Sequence, residues 1–476
     1  MRWLDLTVIA LYLVGITWFG ARFRKAQSNL KDYFLGGKSA PWWAIALSIV
    51  SAETSTLTVI GTPALSFQGN FGFLQLVFGY LLARIVISVL FLPAYFRGEM
   101  YTAYELMRRR FGNRIRKLTA GTFLVLRALA EGVRVVAIAL VVAIILGAGE
   151  KTSILVILCL TLFYTYEGGM TAVIWTDVIQ MFLYVAGALI SLAVILHEIP
   201  GGWEHITAVG EGKFQVFDFS FSWTKPYTFW AGVIGGCFLT TASHGTEQLL
   251  VQRLLAAPSE RQSRAALLAS WVVIFVQFTL FLVIGVCLYT FYHDNGLTAP
   301  AATDKIYPQF IWDHLPHGIS GLVIAAILAA AMSNLSAALN SLASTTVMDF
   351  LKPLFPGPDD RRWLGFARWA TVAWAAVLFF IGLLARQWGS VLQAGLSIAS
   401  IIYGSLLGVF LLGLLTKRVG EKAAMTGMTA GLILMLYIRF ATTVAFTWYV
   451  LIGTSATFAT GLAVSFFVKD SHANTT

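Results

Sequence analysis

The sequence predicts an all-α polytopic membrane protein of about thirteen spans. Three observations carry that reading: overall hydrophobicity, repeated long apolar runs, and basic residues that alternate between the loops. Of 476 residues, 58% are hydrophobic and 12% charged, with a mean hydropathy of +0.76, whereas a water-soluble domain carries about 25% charged residues. The apolar runs are about 18 to 28 residues long, enough for a helix to cross a hydrocarbon core of about 30 Å. A segment in lipid must satisfy its own backbone polar groups, which selects helices.

The runs lie at about 3–21, 41–66, 71–96, 118–147, 153–168, 170–197, 227–252, 265–292, 318–347, 366–385, 390–416, 423–440 and 446–468. The first lacks a basic leading region and a small-residue cleavage site, so it reads as a retained span and not a signal peptide. One set of alternate loops (22–40, 97–117, 253–264, 352–368, 417–422 and the tail) holds 23 Lys and Arg, and the other set holds 7. By the positive-inside rule the N-terminus is outside and the C-terminus cytoplasmic, in a plasma (inner) membrane. The net charge of +10 is therefore a topology signal and predicts no nucleic-acid partner. The longest outer segments, about 198–226 and 293–317, are expected to cap the outer face. Cys159, Cys237 and Cys287 lie inside apolar runs and read as buried small hydrophobes. No nucleophile–base pair or metal-ligand spacing appears, so an enzyme is not expected.

Function is predicted where the rules of the bilayer are broken, because polar groups at its centre are costly unless they face protein or water. The second run is interrupted by Ser51, Glu53 and four further hydroxyl residues up to Thr58, followed by Gly61 and Pro63. The seventh is interrupted by Thr240, Thr241, Ser243, His244, Gly245, Thr246, Glu247 and Gln248. Two broken helices five spans apart predict a five-plus-five inverted repeat, with freed backbone groups available to an ion or solute; kinked helices packed through small residues are the alternative. In the ninth run Ser333, Ser336, Asn340 and Ser344 share one helical face, flanked by Asn334 and Ser341. They are either hard oxygen donors for a small cation or hydroxyls bonded back to helix carbonyls. Asp177 and Gln180, three residues apart, are a candidate sodium ligand set, proton carrier or inner gate, or else a helix entry in contact with water. Arg127, Glu131 and Arg134 share one face of the fourth run and read first as a structural ion cluster. His244 reads as a hydrogen-bonded histidine at the break.

The motifs DYFLGGKS, SAET, FLPAYFRGEMYTAYELMRRRFG, GGMTAVIWTDVIQ, EQLLVQR, AAAMSNLSAALNS, TTVMD and LLGLLTKR, in this order, resemble the sodium/solute symporter family over nearly the whole chain. The third span, FLQLVFGYLLARIV, is similar to the monocarboxylate, vitamin and iodide branch. The resemblance implies a LeuT-type fold in one transporter domain, 1–476: a first span at 3–21, one repeat at about 41–197, a second at about 227–416, and two further spans at 423–468. It implies a monomer that carries a small organic solute or anion into the cell with sodium, by alternating access and without a cofactor. A proton-coupled carrier of the same fold, or a membrane sensor or channel, is the alternative. Carried over by position, the shared sodium site comprises the carbonyls of Leu47, Val50 and Ala330 with the side chains of Ser333 and Asn334, the last standing where many members have a hydroxyl. A second sodium would fall to Asp177 and Ser336, near Gln180, with Ala337 standing where another hydroxyl is expected. The solute positions are Glu53, Thr54, Glu247 and Gln248, with Gln75, Tyr80 and Gln393 beside them.

Overall fold

The computed structural model describes residues 2–23, 29–146, 150–300, 303–355, 360–385 and 391–468. Among them there is no strand. The helices are α1 (Trp3–Ala21), α2 (Leu30–Leu35), α3 (Trp42–Glu53), α4 (Thr56–Gln68), α5 (Leu74–Val86), α6 (Leu92–Tyr95), α7 (Tyr104–Arg110), α8 (Asn113–Leu146), α9 (Glu150–Glu198) and α10 (Gly202–Val209). They continue with α11 (Phe229–Gly245), α12 (Gln248–Leu255), α13 (Glu260–Asp294), α14 (Ile306–His314), α15 (Ile319–Thr345), α16 (Lys352–Leu354), α17 (Asp360–Ala385), α18 (Val391–Leu415), α19 (Glu421–Ala441) and α20 (Phe446–Phe467).

All thirteen apolar runs lie on helices. Nine helices among the described residues are long and apolar enough to cross a membrane, ten if the bent pair α3–α4 counts as one span. The other three runs are α8, the first part of α9, and the pair α11–α12. Within α9 the chain turns at Gly169, at φ 53° and ψ −153°, a conformation reserved for a residue without a Cβ. That glycine separates the fifth run from the sixth.

Small residues allow the helices to approach closely, the usual basis of association where lipid removes the hydrophobic drive. A Cβ on Gly79 of α5 would lie 2.5 Å from the Val233 carbonyl oxygen of α11, and one on Gly236 of α11 would lie 2.4 Å from that of Leu76. The central helix is α15, buried along nearly its whole length. Its first turn is held by α1: the fully buried Asp5 carboxylate accepts from the amides of Gly318 (2.6 Å) and Gly321 (2.9 Å), satisfying N–H groups that a helix start leaves unpaired. Among the cysteines only Cys287 is buried as expected. Cys237 is half-buried and Cys159 exposed, the latter on a stretch of α9 whose neighbours Leu155 and Val156 are exposed as well.

At the end of the bundle where α4 stops and α11 begins, residues 210–228 form a strap. Lys213 donates to the Phe67 carbonyl (2.8 Å), closing the last turn of α4. Trp223 and Ser222 accept from the Ala445 amide (2.7 Å) and the Trp448 indole (3.0 Å).

Candidate functional site

The first interruption is narrow. α3 ends at Glu53, α4 begins at Thr56, and the two axes bend by 65°. Thr54 and Ser55 between them are extended, in a stretch of hydroxyl residues whose side chains compete with helical backbone bonding. Thr58 reaches back to accept from the Ser55 amide at 3.3 Å. On the α3 side the Thr54 amide still reaches the Val50 carbonyl (2.8 Å). The next amide in register for the Ala52 carbonyl belongs to Thr56, beyond the bend; in its place the Asn334 amide of α15 donates to Ala52 at 2.6 Å. The second interruption is Thr246–Glu247, between α11 and α12.

α3 and α15 touch at the level where the sodium site is expected. Ser51 and Ser333 hydroxyls stand 2.8 Å apart. Ser333 donates to Asp177 Oδ1 (2.6 Å), so the proton between the two serines must come from Ser51, and Ser333 keeps one lone pair. Leu47 and Val50 lie on the last turns of α3, and Ala330 one turn before Ser333 on α15. All four lie on the two helices that the Ser51–Ser333 contact joins.

Asn334 and the second-sodium positions do not follow expectation. The amide oxygen of Asn334 accepts from Arg127 Nη2 (2.8 Å) and Arg134 Nη1 (2.9 Å). Both its lone pairs are taken, and a cation beside it would meet two guanidinium charges; like unit charges about 4 Å apart repel by about 4 kcal/mol at an effective dielectric of about 20. Asp177 is fully buried and already paired: its Oδ2 accepts from the Ser48 hydroxyl and from Arg253 Nη2 (2.8 Å). Arg253, counted above among loop residues, is itself fully buried and also donates to the Ser48 and Leu249 carbonyls. The Ser336 hydroxyl bonds back to the Ser333 carbonyl (2.9 Å), and the Gln180 amide donates to Tyr12 of α1 (3.1 Å). A protein cation thus occupies the carboxylate, and the other two groups serve different partners. Ser341 and Ser344 also bond back to carbonyls of α15, while both polar atoms of the buried Asn340 have no partner among the described residues.

Between the two broken helices lies a cavity of about 180 Å³, reached by Glu53, Tyr80, Arg127, Arg134, His244 and Glu247. Glu53 Oε2 accepts from Arg84 Nη2 (2.6 Å) and faces His244 Nε2 (3.3 Å), whose Nδ1 meets the Ser243 hydroxyl (2.8 Å). His244 is thus hydrogen-bonded at the break, as expected. Glu247 accepts from Arg127 Nη1 (3.1 Å) and from the Tyr403 hydroxyl. Glu131 accepts from both Arg127 (2.7 Å) and Arg134 (3.1 Å), and its other oxygen has no partner among the described residues. The cluster read as structural therefore also walls the cavity. Among the described residues Arg134, whose side chain is 25% exposed, has only a share of one carboxylate.

Three solute positions fall elsewhere. The Thr54 hydroxyl is turned away from the cavity and accepts from Gln277 (2.7 Å). Gln75 is fully buried under the strap, donating to the Gly72 and Tyr227 carbonyls and accepting from the Asp218 amide. Gln248 accepts from the Ala103 amide (2.8 Å) and donates to the Tyr101 carbonyl (2.9 Å) and Ser344, which docks α12 against the start of α7. For Gln75 and Gln248 a flexible amide finds backbone groups of a neighbouring segment. Gln393 opens α18, where side chains lie outside the described residues. Arg84, Arg253, Gln277 and Tyr403 were not singled out; for the first two the signal was an arginine placed within or next to a broken or apolar run.

Comparison with known proteins follows this geometry. The human sodium/iodide cotransporter is 29% identical over 451 residues, 92% of this chain and 70% of that one. Human sodium-coupled monocarboxylate transporter 1 is 30% identical over 421 residues, 87% of this chain and 68% of that one. A sodium/sialic acid symporter of Proteus mirabilis (strain HI4320) is 28% identical over 469 residues, 96% and 94% of the two chains. The substrate-bound, outward-open structure of a Na+-coupled sialic acid symporter matches with a TM-score of 0.90 at 27% identity, over 98% of both chains, which makes the fold LeuT-type. A nucleobase-cation-symport-1 family transporter in a closed conformation shares the fold alone, at a TM-score of 0.56 and 12% identity over 91% and 93% of the chains. The sodium:solute symporter family model matches residues 33–431, and the chain belongs to that family.

Proposed function

We propose that this symporter carries a small anion together with sodium, and that Arg134 receives the anion. Sodium-coupled symport itself follows from the family, whose members are transporters and not enzymes, and it sets aside the proton-coupled and sensor readings. The partly exposed guanidinium of Arg134 carries the anionic reading. Arg84 pairs with Glu53 and Arg127 bridges Glu247 and Glu131, both arginines being buried, whereas Arg134 meets only the oxygen of Glu131 that Arg127 already holds, among the described residues, and stays partly exposed at the cavity. Its guanidinium can offer a planar donor pair to a carboxylate, or its charge to a simpler anion. Relatives named for iodide, monocarboxylates and sialic acid support an anionic cargo.

The sodium ion is assigned to the junction of α3 and α15: the carbonyls of Leu47, Val50 and Ala330 and the free lone pair of Ser333. A sodium ion there bridges the broken helix to the central one and favours the state whose cavity accepts solute. Coupling requires that sodium prefer that state, since an ion binding all states equally shifts nothing. In the single domain with repeats at about 41–197 and 227–416, solute binding permits closure and the helix bundle rocks to expose both ion and solute to the cytoplasm. The chain acts as a monomer in the plasma membrane, N-terminus outside.

The test is uptake of lactate, iodide and glucose by the purified protein in liposomes. Lactate or iodide should accumulate only with an inward sodium gradient, and Arg134→Ala should reduce that uptake about 100-fold. Glucose uptake with neither anion carried, or anion uptake indifferent to Arg134, would refute the assignment.

A further inference from the structure

We infer that Asn334 is the positioning residue that couples sodium to the anion, and not a ligand of either. The inference rests on the anionic reading of Arg134. Three contacts carry it. The Asn334 amide nitrogen donates to the Ala52 carbonyl (2.6 Å), the acceptor left without its regular helical partner by the bend after Glu53. Its amide oxygen accepts at once from Arg127 (2.8 Å) and Arg134 (2.9 Å). Its neighbour Ser333 holds Ser51 of α3 and Asp177 of α9.

Successive residues of a helix point about 100° apart, so α15 presents Ser333 to the sodium junction and Asn334 to the arginine pair. The bond from Asn334 to Ala52 exists only when α3 and α15 stand at the separation seen here, and sodium bridging the same two helices fixes that separation. With the amide nitrogen anchored, its oxygen faces the arginines and holds Nη1 of Arg134 on the Glu131 side, leaving the rest of the guanidinium to face the cavity. Sodium binding therefore stabilises the arginine geometry that receives the anion, and by linkage the anion tightens sodium by the same factor. A hydroxyl at this position could ligate sodium but is too short to span the carbonyl and both arginines. An amide spans them, because it combines a donor and an acceptor in one rigid plane.

The experiment measures sodium alone by thermal shift, and lactate and iodide binding with and without sodium, on the full-length protein and on Asn334→Ser, Asn334→Asp and Arg134→Ala. In Asn334→Ser the affinity for sodium alone should stay within about twofold, while sodium's enhancement of anion binding falls from tenfold or more to near one. Asn334→Asp should still bind sodium and lose anion binding at least tenfold, since a carboxylate would neutralise the arginines in the anion's place; it also guards against Asn334→Ser failing to fold. A merely structural role would lower stability and leave the enhancement ratio unchanged. If Asn334→Ser keeps the full ratio while Arg134→Ala abolishes anion binding, the anionic reading stands and the coupling role of Asn334 falls. If sodium affinity drops tenfold in both Asn334 variants with the anion ratio intact, Asn334 is a sodium ligand and the inference is wrong. If the unaltered protein binds neither anion, the anionic reading fails and this inference with it.

Discussion

The two broken helices solve one problem in different ways. At the first, α4 begins with its own hydroxyl residues, and the Thr58 side chain satisfies the Ser55 amide. The carboxylate at that break, Glu53, is paired to Arg84 on the next span along the chain. At the second break the residue before α12, Glu247, gives no cap of its own, and the first amide of α12, Gln248, donates to the Tyr104 hydroxyl of α7 (3.4 Å). Its carboxylate, Glu247, is held by Arg127 of α8 and Tyr403 of α18, which come from far apart in the sequence. The first break is encoded mainly by nearby residues, and the second exists only because the bundle has assembled around it. The cavity therefore has one wall that is set locally and another that responds to the rest of the molecule. Removing partners should damage the second wall more.

The largest effect is expected from Arg127→Ala. It strips one donor from Glu131 and, among the described residues, the only guanidinium from Glu247, in a site where both carboxylates are buried. Leaving a buried charge without its partner costs about 3–5 kcal/mol. Thermal unfolding of the purified protein should shift down markedly, and sodium-driven anion uptake should be abolished. Arg127→Lys should recover part of the stability and little of the uptake, since one ammonium cannot bridge Glu131, Glu247 and Asn334 as the planar fork does. A smaller effect is expected from Glu53→Gln. The amide keeps an acceptor for Arg84, which retains Ser270 and the Tyr80 carbonyl as further partners, and the position opens on the cavity. Uptake should fall about tenfold with a smaller thermal shift than for Arg127→Ala. Equal shifts for the two substitutions would break the contrast between the walls.

The same contrast explains what could be read from the sequence. The apolar runs, the boundary between the fifth and the sixth, and the positions of both interruptions show in local composition: hydropathy, a residue without a Cβ, and clustered hydroxyls next to glycine or proline; what holds the second interruption open does not. The pairing of Arg127, Glu131 and Arg134 was legible because helical spacing sets it. The destinations of long side chains were not. Gln75 and Gln248 sit in apolar runs like solute ligands, yet each serves backbone groups of a segment distant in sequence. Arg253 counts as a loop cation by position, but the break before α12 carries it into the interior against Asp177. Removing it from the loop count leaves the charge asymmetry intact. On α15 one helical face carries Ser336, whose hydroxyl bonds back to its own helix, beside Ser333, which reaches α3 and α9. Periodicity places both kinds on that face and cannot separate them, because the difference lies in what packs opposite.

The smallest effect tests the local wall itself. In Thr58→Val the β-branched shape is kept and one acceptor is lost, so the Ser55 amide must turn to solvent in the cavity or go unpaired. A single neutral hydrogen bond of this kind contributes about 0.5–1.5 kcal/mol, and loss of a helix-start contact about 1 kcal/mol. The bend should survive, because Thr54 and Ser55 are still followed by a helix whose other contacts are unchanged, including the close approach of α13 at Gly285, where a Cβ would lie 2.1 Å from the Pro63 carbonyl oxygen. Hydrogen exchange should therefore quicken at Ser55 and the neighbouring amides of α4 while α12 is unaffected, with a thermal shift well below that of Glu53→Gln. If exchange instead quickens equally at both breaks, the first is not set by its own residues, and the two walls move as one cooperative unit.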